Sequence, residues 1–149
     1  MQKITPNLWF NGNAQEAVDY YVSVFPDGKI HDTIYYPHEG LADFQKDLAG
    51  KVLTISFELA GMQFMAINAG PEFTFTEAVS FAVACKDQAE IDHYWSKLSA
   101  VPALAQCGWC KDKYGLSWQI VPADMEKLME KPGSFGKLME MKKIVIADF

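Results

Sequence analysis

The sequence predicts an α+β fold in which two βαβββ modules follow one another along the chain. Three observations predict it: a pair of similar amphipathic segments, a β-prone run before each, and further β-prone runs after each. The 149 residues are half apolar and 21% charged, which is typical of a globular protein. We therefore expect a single domain over residues 1–149, built of two modules at approximately 1–70 and 71–149.

The repeat appears when the chain is aligned with itself at an offset of 73 residues. Ala14–Phe25 then lies over Asp87–Leu98, and four of the twelve pairs are identical, which favours a repeat over chance similarity. Each segment carries apolar residues at i, i+3, i+4 and i+7. Each segment also has a capping residue at its start, followed three positions later by an acid: Asn13 with Glu16 in the first segment, and Asp87 with Glu90 in the second. Both segments are predicted to be helices with the same buried stripe.

The first module is predicted to place four strands around its helix. Ile4–Phe10 precedes the helix, and Lys29–Tyr36 follows a Pro-Asp-Gly turn. Lys51–Ala60 alternates apolar and polar residues, and a glycine then turns the chain into Gln63–Asn68. The predicted order is therefore β-α-β-β-β.

The second module is predicted to be a shorter copy of the first. Ala78–Ala84 precedes the helix, which spans Gln88–Leu98, and a weak strand is expected near Leu104–Gln106. Trp109–Lys113 and Leu116–Val121 follow as two strands joined by a Tyr-Gly turn.

Two segments have no place in the repeat. Pro37–Gly50 has no counterpart in the second half, and its apolar spacing indicates a short surface helix, with a lid as the less favoured alternative. The tail is predicted to be helical on both sides of a break at Pro132–Gly133. Its four methionines suit adaptable core or subunit packing more than a binding surface.

Charge and composition exclude several classes of protein. The net charge is −6, with 13 basic against 19 acidic residues, so a nucleic-acid partner is not expected. No run of about 18 apolar residues occurs, and the first residues lack the apolar core of a signal peptide, so we expect neither membrane insertion nor export. Three cysteines without a disulfide pattern suit a reducing compartment, and we expect a cytoplasmic protein.

Taken together, these segments resemble the vicinal oxygen chelate superfamily. Within it, the sequence looks like the PhnB-like group, often labelled demethylubiquinone methyltransferase-like. The matching segments cover nearly the whole chain: Pro6–Ile30, Phe64–Cys85, Asp87–Leu98, Cys107–Met125 and Met141–Ala147. The resemblance implies a cupped mixed sheet with helices on its convex side, as in glyoxalases and bleomycin resistance proteins. It also implies a homodimer and a cup that holds a metal or a small molecule.

The metal ligands that this resemblance implies are missing. Active members of the superfamily, such as glyoxalases and extradiol dioxygenases, place His and Glu ligands on the first and last strands of the modules. Here the corresponding positions hold Thr5-Pro6, Glu77 with its neighbours, and Gln119, and a neutral amide is a poor ligand for a divalent ion. The histidines do not replace these ligands, since they lie on a strand, a loop and a helix: His31, His38 and His93. We expect no cofactor, with a divalent metal as the open alternative.

Other catalytic motifs are also missing. Adenosyl cofactors are usually bound by a glycine-rich turn after a first strand, and no such turn occurs, which contradicts the methyltransferase label. Phosphate-binding loops, nucleophile elbows and zincin helices are absent as well. Cys107 and Cys110 have the spacing of a redox pair, but a strand hairpin follows them in place of the helix that lowers a thiol pKa. A redox role is therefore disfavoured.

Strand parity selects the side chains that would line the cup. In a half-buried strand, bulky apolar residues face the helices and the alternate residues face the cavity. On this basis Glu77 is the one cavity-side acid that we nominate as a general base. The predicted ligand-binding residues are Trp9, Asn68, Ser80, Trp109 and Gln119. For each of them the competing interpretation is structural, as a core ring or as a partner of backbone groups.

The sequence therefore predicts a homodimeric protein that binds a small organic molecule and has a degenerate metal site. One alternative is an enzyme of the lyase or dioxygenase type that acts on a carbonyl or catechol-like substrate with a substituted ligand set including Gln119 and Glu77. The other alternative is a dimeric interaction module that uses the tail and Pro37–Gly50.

Overall fold

The computed structural model describes residues 2–149, and the chain divides into two compact units. The first unit ends at Thr74 and the second begins at Phe75. Each unit contains a mixed β-sheet and at least one α-helix, so the predicted α+β class is confirmed. Among the described residues, no helix has the length and hydropathy needed to cross a bilayer.

The first unit has the predicted order β-α-β-β-β, and its sheet runs β1-β4-β3-β2. The strands β1 and β4 are parallel, and the other two pairs are antiparallel. A 3-10 helix, Asp43–Leu48, lies between β2 and β3. The elements are β1 Asn7–Asn11, α1 Ala14–Val24, β2 Lys29–Tyr35, β3 Val52–Leu59 and β4 Met62–Ala69.

Alternating apolar residues give this sheet one buried and one more open face. In β3, Ile55, Phe57 and Leu59 are buried, while Thr54, Ser56 and Glu58 lie on the other face, as predicted. The helix α1 covers the buried face, and the fully buried Tyr21 ring stacks on Phe57 with centroids 6.5 Å apart. Apolar burial along this interface therefore holds α1 on one face of the sheet.

The second unit has a three-stranded sheet in the order β5-β7-β6. The strands β5 and β7 are parallel, and β6 and β7 are antiparallel. This repeats the β1-β4-β3 arrangement without a counterpart of β2. The elements are β5 Ser80–Cys85, α2 Gln88–Leu98, β6 Trp109–Lys111, β7 Ser117–Pro122, α3 Met125–Met129 and α4 Ser134–Glu140.

The strand predicted near Leu104–Gln106 is wrong. Pro102–Leu104 forms a 3-10 turn, and only Gln106 makes an isolated bridge, to Trp109. Proline has a fixed φ and no backbone N–H, so Pro102 suits the first position of a helical turn and not a paired strand.

The repeat extends from residue types to contacts. The side-chain amide of Gln15 donates to Asp19 in α1, and that of Gln88 donates to Asp92 in α2, each over 3.0 Å. The hydroxyls of Ser23 and Ser96 likewise each donate to the carbonyl three residues earlier, over 2.6 and 2.7 Å. The two helices therefore share a hydrogen-bonding pattern on their outer faces.

The two helices differ in their caps. Asp87 has extended backbone, and its carboxylate accepts the Glu90 N–H over 2.9 Å, as predicted. Asn13 has φ −118° and ψ 25° and makes no side-chain cap, so the prediction for Asn13 is wrong. A capping side chain reaches the first turn from extended backbone, which Asn13 does not adopt. Asn68 takes its place, and its Oδ1 accepts the Ala14 N–H over 3.1 Å.

A terminal segment, residues 141–146, is held against the rest of the second unit. The backbone N–H groups of Cys107 and Gly108 each donate over 2.8 Å to carbonyls at the start of this segment. The Gln88 side-chain amide donates to the Ile144 carbonyl over 3.0 Å, and its oxygen accepts the Ile146 N–H over 2.8 Å. Ile144 lies between these contacts and is fully buried. Backbone bonds and an apolar anchor together hold the segment in place.

Candidate functional site

A groove of about 360 Å³ lies on the face of the first sheet opposite α1. Its floor includes Trp9 of β1 and Ile67 of β4, which are paired across the sheet. Their neighbours along each strand, such as Phe10 and Ala66, are buried on the opposite, helix side. One wall comes from the 3-10 helix, through Phe44, Gln45, Asp47 and Leu48, and the other from the turn Gly70–Glu72. The groove lies wholly within the first unit.

The Trp9 ring is fixed from two sides. Its indole N–H donates to the Gly70 carbonyl over 2.9 Å. The Phe73 ring meets it edge-on, with centroids 4.8 Å apart and an interplanar angle of 76°. Because both contacts orient the ring, Trp9 offers the groove a surface of defined direction. Of the predicted ligand-binding residues, Trp9 is the one that lines this groove.

Tyr36 supplies a second fixed ring. Its hydroxyl donates to the Asn68 carbonyl over 2.6 Å, and the side chain is buried apart from its contribution to the groove. Burial, and after it the negative charge of Glu72, raises the pKa of the Tyr36 phenol. The phenol is therefore neutral at physiological pH.

Asn68 lies on the helix side of the sheet, away from the predicted cavity face. Besides capping α1, its amide donates to the Val52 carbonyl over 2.9 Å. The signal for this placement is in the sequence, because Asn68 has the same parity along β4 as the buried Phe64 and Ala66. Its contacts are structural, and a role in ligand binding stays a prediction.

Three further predicted residues come together in the second unit. The Gln119 amide donates to the Ser80 hydroxyl over 2.9 Å, and Trp109 pairs with Gln119 between β6 and β7. All three lie on the sheet face opposite the buried Trp118 and Ile120. The parity argument therefore selected neighbours here, although their binding role stays a prediction.

Glu77 forms an ion pair with Lys111, which lies in β6. The hydrogen bond from Lys111, and then a backbone hydrogen bond, lower the pKa of the Glu77 carboxyl. Its side chain is also 59% exposed. A carboxylate with a lowered pKa is a weak base at neutral pH, so these contacts disfavour Glu77 as a general base, and its catalytic role stays a prediction.

A polar cluster on the first sheet was not predicted. Glu58 accepts from His31 over 3.2 Å and from the Gln63 amide, and Lys29 lies 3.7 Å from its other oxygen. The bond from His31 is the main cause that lowers the Glu58 pKa. The alternation of β3 placed Glu58 on this face, but only the pairing of β2 with β3 brings His31 to it.

The residues present do not fit the metal that the superfamily implies. Within residues 2–149 no group of three or more His, Cys, Asp or Glu side chains is arranged to hold an ion. At the expected positions, Gln119 is bonded to Ser80 and Glu77 to Lys111. His31 and Glu58 provide two donors, whereas a stable site needs three or more.

The cysteines carry no sign of redox chemistry. All three are free thiols. Burial raises the pKa of Cys110, and that of Cys85, to about 12. A reactive thiol needs the opposite shift, so the raised pKa of Cys110 disfavours a redox role for this thiol.

The groove also contains residues that the sequence did not single out. These are Tyr36, Leu53, Ile67 and the acids Asp47 and Glu72. For Phe44 and Leu48, the sequence indicated only a short surface helix within Pro37–Gly50. In the structure both side chains line the groove, so part of this segment forms a groove wall.

Comparisons with known proteins agree on one family. Residues 2–121 match the family described as 3-demethylubiquinone-9 3-methyltransferase. A Bacillus cereus structure, described as a 3-demethylubiquinone-9 3-methyltransferase and PhnB protein, is 35% identical with a TM-score of 0.66, and the match covers 80% of this chain and 99% of that one. A Pseudomonas aeruginosa structure is 19% identical with a TM-score of 0.59, covering 82% and 98% of the two chains, which supports the fold alone. No curated protein gives a significant match. The chain therefore belongs to the 3-demethylubiquinone-9 3-methyltransferase family, in its PhnB-like group, and has the α+β glyoxalase fold of that group.

Proposed function

We propose that the protein binds a small, partly apolar organic molecule in the groove of its first unit. The observation that carries the proposal is the groove itself, with about 360 Å³ lined by Trp9, Tyr36, Phe44 and aliphatic side chains. Small-molecule sites usually have volumes of about 300–1,000 Å³ and are lined mainly by apolar and aromatic groups.

The preformed rings support this proposal. Trp9 and Tyr36 are each held by a hydrogen bond to backbone, at Gly70 and Asn68. Rings that are already ordered lose little conformational entropy when a ligand stacks on them. The groove is therefore suited to binding without rearrangement of its floor.

Binding without methyl transfer is the function that the residues favour. The family description names a methyltransferase, but this chain lacks the glycine-rich turn that usually holds an adenosyl cofactor. We also propose that no metal takes part, because the donors at the expected positions are bonded to other side chains. Calorimetry with Ni, Zn, Mn and Fe tests this, and tight stoichiometric binding of any one ion would overturn it.

We further propose a homodimer in the cytoplasm. The helix α4 supports dimer formation because Phe135 and Met139 are 67% and 48% exposed there. Free thiols support a reducing compartment. Light scattering during gel filtration measures the mass, and a monomer at micromolar concentration would contradict the dimer.

Filling the groove tests the binding proposal. We expect Ile67→Trp to occupy the groove floor and abolish retention of a co-purified molecule, as measured by native mass spectrometry. The matched control is Ile30→Trp, because Ile30 lies on the edge strand β2 and does not line the groove. Equal retention by both variants, with the fold of each intact by circular dichroism, would show that the molecule is bound elsewhere.

A further inference from the structure

The groove carries negative charge and no compensating base. Asp47 and Glu72 line it, and none of the residues that line it is a lysine, arginine or histidine. Lys46, the neighbour of Asp47, is paired over 2.9 Å with Asp43, which lies outside the lining. Among the described residues neither Asp47 nor Glu72 has an ion-pair partner. Two carboxylates therefore face the groove with their charge uncompensated by the protein.

The Glu72 side chain folds back over the neighbouring turn at the groove wall, and the residue itself is exposed. A Cβ built on Gly70 would come within 2.7 Å of one Glu72 carboxylate oxygen and 2.9 Å of the other. Gly70 is also the residue whose carbonyl fixes Trp9. Burial, and after it the negative charge of Glu72, raises the Tyr36 pKa, so the Glu72 charge also acts at the second aromatic ring. The carboxylate and the two rings therefore act on the same volume.

Aromatic rings and carboxylates together favour one kind of charge. The face of an aromatic ring attracts cations through its quadrupole, most strongly for tryptophan. Carboxylates attract the same ligand charge, and both repel anions. Phe44, which is 78% exposed on the 3-10 helix, adds a third ring at the groove wall.

We propose that the groove selects molecules with an apolar aromatic body and a cationic group, either a protonated amine or a quaternary ammonium, over neutral and anionic molecules of the same shape. This inference rests on the proposed binding function of the groove. Within it, the cationic group lies close to Glu72 and Asp47 and near the faces of Trp9 and Tyr36, and the aromatic body covers the apolar side chains of the groove.

Three probes of nearly equal size test the charge preference on the purified full chain by calorimetry. They are naphthylmethyl trimethylammonium, naphthylmethanol and naphthylacetate. We expect the cation to bind about ten-fold more tightly than the alcohol, and the carboxylate to bind most weakly. Added salt should weaken binding of the cation and leave the alcohol unchanged. Equal or tighter binding of the carboxylate would overturn the inference.

Two variants locate the preference. Glu72→Gln and Asp47→Asn are each expected to weaken binding of the cation about three- to ten-fold and to leave the alcohol unaffected. The control is Asp27→Asn, which removes an exposed carboxylate of the first unit that lies outside the lining, and it should leave binding of all three probes unchanged. An equal loss for all three probes in Glu72→Gln would mean that Glu72 only shapes the groove, and the inference would fail.

The two proposals fail in different ways. If the alcohol binds, Ile67→Trp blocks it, and charge has no effect, the binding function stands and the charge preference is wrong. If no probe binds and Ile67→Trp changes no retained molecule, the binding function itself is wrong.

Discussion

Asn68 joins three elements through one side chain and one carbonyl. In β4 its Oδ1 accepts from the start of α1, its amide donates to Val52 of β3, and its carbonyl accepts from Tyr36. Because the side chain is buried, loss of its two bonds leaves the Ala14 N–H and the Val52 carbonyl without these partners.

Replacement of Asn68 should therefore destabilise the protein. We expect Asn68→Ala to lower the free energy of unfolding by about 1–3 kcal/mol, measured by urea denaturation. The matched control is Asn13→Ala, because Asn13 precedes α1 but makes no cap, and its cost should stay below about 0.5 kcal/mol. Equal costs for the two variants would contradict the assignment of the cap to Asn68.

Asp92 predicts a pH dependence for the second unit. The hydrogen bond from Lys143, at 2.8 Å, and then that from Gln88 lower the Asp92 pKa below its ordinary 3.8. A lowered pKa in the folded state means that the ionised form stabilises the fold above pH 3.8 and that this contribution is lost on further acidification.

We therefore expect wild type to be more stable than Asp92→Asn at neutral pH, with a difference that shrinks as the pH falls through the lowered pKa. Urea midpoints across the pH series measure it. Asp19→Asn is the control, because Asp19 has the equivalent glutamine partner and no lysine partner among the described residues. A pH-independent difference for Asp92→Asn would contradict the role of the ion pair.

At the scale of elements, the terminal segment depends on one glycine. Gly108 has a φ of +85°, and a Cβ there would lie 2.8 Å from the Ile144 side chain and 3.1 Å from the Ile120 carbonyl. Gly115 has a similar φ of +89° with nothing within 4 Å of such a Cβ. An alanine at either position would therefore strain the backbone, but only an alanine at position 108 would also clash with neighbouring atoms.

We expect Gly108→Ala to release the terminal segment and Gly115→Ala to leave it bound. Both variants should lose about 1–2 kcal/mol through strain, because alanine disfavours positive φ. Only Gly108→Ala should speed hydrogen exchange in residues 141–146, as measured by mass spectrometry of peptides. Unchanged exchange in that variant would mean that Ile144 adjusts without loss of the segment.

The elements show which kinds of structure a single sequence predicts. The helix Gln88–Leu98 has the predicted bounds, since its apolar spacing and its Asp87 cap are local signals. The cap of α1 comes from 54 residues away and leaves no such local signal. The strand near Leu104–Gln106 failed because Pro102 outweighs a short β-prone run.

The candidate site was only partly predictable for a related reason. Strand parity placed Trp9 on the correct face, because burial alternates within each strand. The other wall of the groove comes from Phe44–Leu48, and neither the spacing nor the repeat reveals where an inserted segment lies against the sheet. The sequence also could not predict that Asp47 and Glu72 line the groove, since acidic residues occur throughout this acidic chain.

At the scale of the whole molecule, the expected single domain can be tested by unfolding. Trp9 is the one tryptophan of the first unit, so Trp9→Phe leaves fluorescence from the second unit alone. We predict that its urea transition coincides with that of far-UV circular dichroism, which reports both units. Two separate midpoints would mean that the units unfold independently and would contradict a single domain.

The segment Pro37–Gly50 also sets the number of ligands that the protein can take up. It supplies a wall of the groove, and the second unit has neither this segment nor a counterpart of β2. A duplicated module suggests two equivalent sites, but here the two copies have diverged in the part that forms the wall. If the groove binds as proposed, saturation should therefore occur at one ligand per chain.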